Sequence, residues 1–128
     1  MVYRKTWLAA GWLLILLIGY LSLTPSPPTP LVFPHADKLE HLVAYALLMG
    51  WFCQIYSARR QRIYLALACI AYGGIIELLQ GWGGHRYAEW ADLLADSLGV
   101  ALGWLLNTTS LQYFLTRLDA RLASHHDR

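Results

Sequence analysis

The groups in this chain best suited to chemistry are ionisable side chains set at helical spacing within apolar sequence. Asp37, Lys38, His41 and Tyr45 form a D-K-x-x-H-x-x-x-Y pattern. Asp37, His41 and Tyr45 stand at i, i+4 and i+8, so on a helix they share one stripe. Glu77 and Gln80 follow at i, i+3, then Arg86. Glu89, Asp92 and Asp96 make a further stripe that continues into Gly99 and Gly103. Lys38, His41 and Arg86 could meet a phosphate or carboxylate, the arginine in bidentate fashion. His41, Glu77 and Asp92 could divide acid and base roles or bind a divalent metal. Acidic groups at membrane depth could also serve a transport path. The structural alternative is that Arg86, Lys38 and His41 pair with Glu77, Asp92 and Asp96 and lock helices together. Four carboxylates (Asp37, Glu77, Asp92, Asp96) at one level exceed what packing needs, which favours a polar site.

The elements that must carry these groups follow from composition. Of 128 residues, 57% are hydrophobic and 14% charged. Soluble domains are usually about 45–50% apolar and about 25% charged. A chain this short cannot hide so much apolar surface in a water-soluble core. One all-α, polytopic membrane domain is therefore expected over 1–128. A spanning helix needs ~20 apolar residues. Four segments qualify, at about 6–23, 37–56, 63–82 and 89–106. The first follows Arg4 and Lys5 but lacks a small-x-small cleavage pattern, so it reads as an uncleaved helix. A proline-rich stretch, 24–30, then forms a stiff loop. The short links at 57–62 and 81–87 predict antiparallel hairpins. Leu111, Phe114, Leu115, Leu118 and Leu122 recur at helical spacing, interrupted by Arg117, Asp119 and Arg121. That pattern predicts an amphipathic helix at about 110–123 lying on the cytoplasmic membrane face.

Charge placement orients the spans. Of the ten Lys and Arg residues, Arg4, Lys5, Arg59, Arg60, Arg62, Arg117, Arg121 and Arg128 fall on one side of a four-span chain, Lys38 and Arg86 on the other. The positive-inside rule then makes both termini cytoplasmic. It also explains the basic run at 59–62 better than nucleic-acid binding does. The polar ends of spans two, three and four face outward. At ~1.5 Å rise per residue, His41 lies ~6 Å, Glu77 ~8 Å and Asp96 ~10 Å inside their span ends, so one layer holds them. Trp7, Tyr56, Tyr64, Trp82 and Tyr87 lie near span ends as an interfacial belt. Cys53 and Cys69 sit in apolar runs as buried thiols. Gly99 and Gly103 form a small-xxx-small pair for close helix packing.

In order and spacing, D-K-x-x-H-x-x-x-Y, E-x-x-Q, Arg86 and D-x-x-x-D-x-x-G resemble the VanZ-like family of small bacterial membrane proteins, over about residues 35–106. The resemblance implies a multi-pass protein of the bacterial inner membrane with an envelope role. The family takes its name from low-level teicoplanin resistance, and no established catalytic mechanism accompanies it. Where the family pattern usually has Asn, this chain has Asp96, which adds negative charge and favours a cation or a shared proton with Asp92.

The expected function is binding or modulation of an envelope lipid or lipid-like glycopeptide by Asp37, Lys38, His41, Tyr45, Glu77, Gln80, Arg86, Asp92 and Asp96. The partners are then the bilayer and that ligand, with oligomerisation open and no nucleic acid. No cofactor or resident metal is expected, and a binding protein is favoured over an enzyme. The alternatives are an intramembrane enzyme acting on a lipid headgroup and a small transporter. No P-loop, nucleophile elbow, dinucleotide fingerprint or dense metal-ligand motif is present in the sequence.

Overall fold

The computed structural model describes residues 1–24, 36–83 and 90–126. It contains α1 (Arg4–Leu23), α2 (Ala36–Ile55), α3 (Arg59–Trp82), α4 (Trp90–Leu106) and α5 (Phe114–His126), with a 3-10 turn over Ser110–Tyr113 leading into α5. Among the described residues there is no strand. The expected helices and the elements coincide closely, except that α3 begins earlier than 63. Two contacts explain the difference. The Gln61 side chain accepts the Ala58 N–H at 3.4 Å, and Arg62 turns inward rather than into water.

α2 is the hub and packs most extensively on α4. Tyr45, Leu48, Met49, Phe52 and Cys53 of α2 meet Ile18, Cys69, Ile76 and Val100 in the core. Glycine sets the α2–α4 approach. A Cβ on Gly99 would strike the Leu42 carbonyl, and one on Gly103 would lie 2.6 Å from the Ala46 carbonyl oxygen. Both cysteines are buried and free.

The outside of the bundle is apolar. Leu13, Leu16, Leu47, Leu67, Leu78, Leu94 and Leu105 are each more than half exposed. A water-soluble protein of this size rarely shows so much contiguous apolar surface, whereas a lipid environment suits it. α1 and α3 are long and apolar enough to cross a membrane by length and composition. α2 is more polar at its start, with Asp37, Lys38, Glu40 and His41. α4 has 17 residues, about 26 Å against a hydrocarbon core of about 30 Å. The described residues are thus all-helical, with two helices long and apolar enough to cross a membrane.

At the end where α1 and α3 begin, polar side chains satisfy helix termini that would otherwise leave carbonyls and amides open. Arg62 donates to the carbonyls of Tyr56 (2.9 Å), Cys53 (2.8 Å) and Asn107 (3.3 Å). Asn107 donates to the Gly103 and Gly50 carbonyls and accepts from Gln54 at 2.7 Å. Gln54 accepts the Leu115 N–H at 2.8 Å. Asp119 of α5 accepts from the backbone N–H groups of Val2 and Tyr3 and from Trp7 Nε1, each at 2.8 Å. The C-terminal helix therefore does more than lie on a surface. Leu115 and Asp119 are buried against the bundle, while Leu111, Phe114 and Leu122 are exposed. Asp119, read from sequence as an interruption of the apolar stripe, is a remote cap for α1.

Candidate functional site

The opposite end of the bundle, formed by the starts of α2 and α4 and the end of α3, gathers a second polar set. Its first unit joins α2 to α4. His41 Nδ1 lies 2.8 Å from Asp96 Oδ1. An ionised carboxylate can only accept, so Nδ1 carries the hydrogen and donates it. The Asp96 side chain is 1% exposed and that of His41 11%. Space for the carboxylate comes from α3, where a Cβ on Gly73 would sit 2.6 Å from Asp96 Oδ2 and 3.3 Å from the Tyr45 hydroxyl oxygen. Tyr45 is buried, its ring tilted against Tyr72 at 6.5 Å between centroids. One carboxylate seat is thus shared by three helices.

The second unit is Lys38, whose Nζ lies 2.9 Å from Asp37 Oδ2 and 2.7 Å from Asp92 Oδ1. Asp37 is the exposed member of that set, Asp92 the buried one. The lysine therefore bridges the rim of α2 to the interior of α4. Glu77 is buried on α3, and it also lines a cleft of about 420 Å³ between α3 and α4 with Ala71, Gly74, Ile75, Leu78, Trp90 and Leu93. Among the described residues its lining is apolar apart from that carboxylate. Trp90 is almost fully exposed at its edge.

The nine candidate residues do not all converge. His41, Asp96, Tyr45, Lys38, Asp37, Asp92 and Glu77 occupy one end of the α2–α3–α4 packing. Gln80 is buried but turns to α1, where Nε2 donates to the Ser22 carbonyl at 2.7 Å and caps that helix. Arg86 lies outside the described residues, as does Glu89. Gly99 and Gly103 sit on the α2–α4 seam. Among the described residues no group of three or more His, Cys, Asp or Glu side chains is arranged to hold a metal ion.

Two features escaped the reading of spacing alone. Gly73 cradles Asp96, and nothing in a helical glycine marks it as a carboxylate seat before its neighbours are known. Glu40, beside His41, buries its Oε1 with no hydrogen-bond partner among the described residues. Its place inside the polar start of α2 was the only signal for it.

Comparison with known proteins identifies a family. The VanZ/LLP1 family profile matches residues 7–111. An uncharacterized protein of Schizosaccharomyces pombe is 31% identical over 119 residues, covering 91% of this chain and 69% of the relative. No solved structure matches the chain.

Proposed function

The chain belongs to the VanZ/LLP1 family, and from that premise we propose that it is a four-span membrane protein whose outward-facing polar site binds the head group of an envelope lipid or lipid-linked glycopeptide. The observation that carries this reading is Glu77, a buried carboxylate that belongs both to the polar end of the bundle and to the wall of the 420 Å³ apolar cleft. A lipid needs that combination, with a polar contact beside a slot for its chain.

The chemistry of the head group follows from the pairing. Lys38 is engaged by Asp37 and Asp92, and His41 by Asp96. These two cationic partners in the site are matched by carboxylates, so an anionic head group would draw on Arg86. A carboxylate can accept several hydrogen bonds, so these acids, although engaged, can also receive a head group rich in donors, such as amines or sugar hydroxyls. In a bacterial host the site would open on the outer face of the inner membrane, with the termini, Arg59 and Arg60 in the cytoplasm. The contact between Asp119 and the N-terminal turn supports termini on one side.

Photocrosslinking tests the reading. Purified full-length protein in nanodiscs is exposed to photoactivatable phosphatidylethanolamine or phosphatidic acid. Labelling of the α3–α4 peptides by the amine lipid, reduced at least fivefold in Glu77→Gln and Asp92→Asn, is expected. Equal labelling by both lipids, unchanged in both variants, would sink the proposal. Labelling unchanged in Arg86→Ala removes that residue from the contact. Topology is tested separately by an alkaline-phosphatase fusion at the C-terminus, expected to be inactive.

A further inference from the structure

We propose that His41 and Asp96 form a general-base dyad, with His41 Nε2 as the catalytic atom, that activates water for hydrolysis of a carboxylic ester held in the polar site. The proposal rests on the lipid-site reading for where the substrate lies, but its chemistry is argued from the dyad itself.

The geometry separates an orienting group from a reacting one. Asp96 is sealed, 1% exposed, in a seat that α3 keeps open by having glycine at position 73. It holds His41 by Nδ1 at 2.8 Å, which fixes the ring, so that in the neutral imidazole the lone pair falls on Nε2. Nε2 has no hydrogen-bond partner among the described residues, and it is not among the buried side-chain atoms lacking one. A histidine serving only to lock α2 to α4 would use or bury both nitrogens. This one has a fixed inner edge and an open outer edge, as in a base oriented by a third group.

The surrounding charge selects the substrate class. Asp96, Asp92 and Glu77 lie close enough to act on the His41 ring, and together they favour a positive imidazolium as it forms. Lys38 offsets Asp92, but Asp96 and Glu77 remain beside the base, so attack at an already anionic phosphorus is disfavoured there even where a phospholipid head group binds. A neutral carboxylic ester meets no such repulsion on binding, and the negative charge that attack places on its carbonyl oxygen is offset by the imidazolium formed in the same step. In the step, Nε2 takes a proton from water as the water oxygen bonds to the ester carbonyl carbon. The tetrahedral intermediate then collapses and the carbon–oxygen bond to the alcohol breaks. The imidazolium returns its proton to the leaving oxygen. One water is consumed, and a carboxylic acid and an alcohol are released.

The test uses full-length protein in phosphatidylcholine nanodiscs with p-nitrophenyl butyrate as the probe. Wild type is expected to hydrolyse it faster than empty nanodiscs, and His41→Gln to lose about 100-fold of that increment. Asp96→Asn, which keeps side-chain volume, should lower the rate and change the His41 tautomer read by nitrogen NMR. A purely structural Asp96 would leave the tautomer as it is. A wild-type rate equal to empty nanodiscs, or equal to that of folded His41→Gln, overturns the proposal. Should His41→Gln fail to fold, wild type is treated with diethylpyrocarbonate. Carbethoxylation of the His41 peptide with loss of activity, both reversed by hydroxylamine, supports the dyad. Activity untouched by modification of that peptide, or a His41 that is not modified, overturns it. Photocrosslinking of the amine lipid reports the lipid site independently. Esterolysis without lipid preference leaves the dyad and removes the lipid reading, and the converse removes only the dyad.

Discussion

Gly73 decides where the Asp96 carboxylate can sit. An alanine methyl there would fall 2.6 Å from Oδ2, well inside contact distance. The carboxylate would have to move and take the His41 contact with it. We expect Gly73→Ala to destabilise the protein by about 1–3 kcal/mol through overpacking. Gly74→Ala, whose nearest neighbour is Leu93 at 3.9 Å, should stay within about 0.5 kcal/mol. Thermal unfolding of both variants in one detergent checks the contrast, and equal behaviour would mean Gly73 is not a seat. At this scale the sequence was informative about which residues are polar and which stripe they share. It could not say which acid meets which base, because that depends on the rotation of α2 against α4. Thus His41, Asp92 and Asp96 were legible as a layer, while the Lys38–Asp92 and His41–Asp96 partition required packing. Gln80 shows the limit most clearly. Its i, i+3 relation to Glu77 is real, yet its amide serves the end of α1.

Helix lengths and order were readable from apolar spacing because each apolar segment is longer than a strand or turn would be. What spacing misses is how an element ends when its partner is remote in sequence. By sequence Arg62 belongs with Arg59 and Arg60 in the basic run that orients the chain. In the fold it is buried and holds the ends of α2 and α4 through three carbonyls. Arg62→Met is expected to cost about 3 kcal/mol, because it leaves buried acceptors without a donor. Arg59→Met, at an exposed position, should cost less than about 0.5 kcal/mol. Similar losses in both would assign the residue to topology alone. The α2–α4 seam gives a second expectation at this scale. A methyl on Gly99 meets the Leu42 backbone carbonyl rather than a side chain that can turn away. Gly99→Ala should therefore cost about 3 kcal/mol, at the upper end of overpacking. Equilibrium unfolding of detergent-solubilised protein measures it, and a neutral result would show that the helices separate easily at this point.

At the scale of the whole molecule, the polar groups divide by task between the two ends of the bundle. One end spends its hydrogen bonds on backbone termini, through Arg62, Asn107, Gln54 and Asp119. At the other end Gln80 caps α1, but the remaining polar groups pair side chain with side chain, leaving His41 with an open edge and Glu77 beside a cleft. Function is therefore expected at the second end, and stability at the first should respond to acid. Burial pushes the Asp119 carboxyl upward, but hydrogen bonds from Trp7, Tyr3 and Val2 and the nearby N-terminal amine outweigh it and hold it below the usual 3.8. A group lowered on folding contributes stability that is complete above its unfolded value and disappears as pH falls through the folded one. The clasp between α5 and the start of α1 should thus be intact at neutral pH and fail in acid below 3.8. Other carboxylates titrate in the same range, so the informative quantity is the difference between wild type and Asp119→Asn. That difference in unfolding temperature should be largest near neutrality and shrink toward zero as Asp119 protonates. A constant difference across the whole range would mean that shape, and not the carboxylate charge, joins the two ends of the chain.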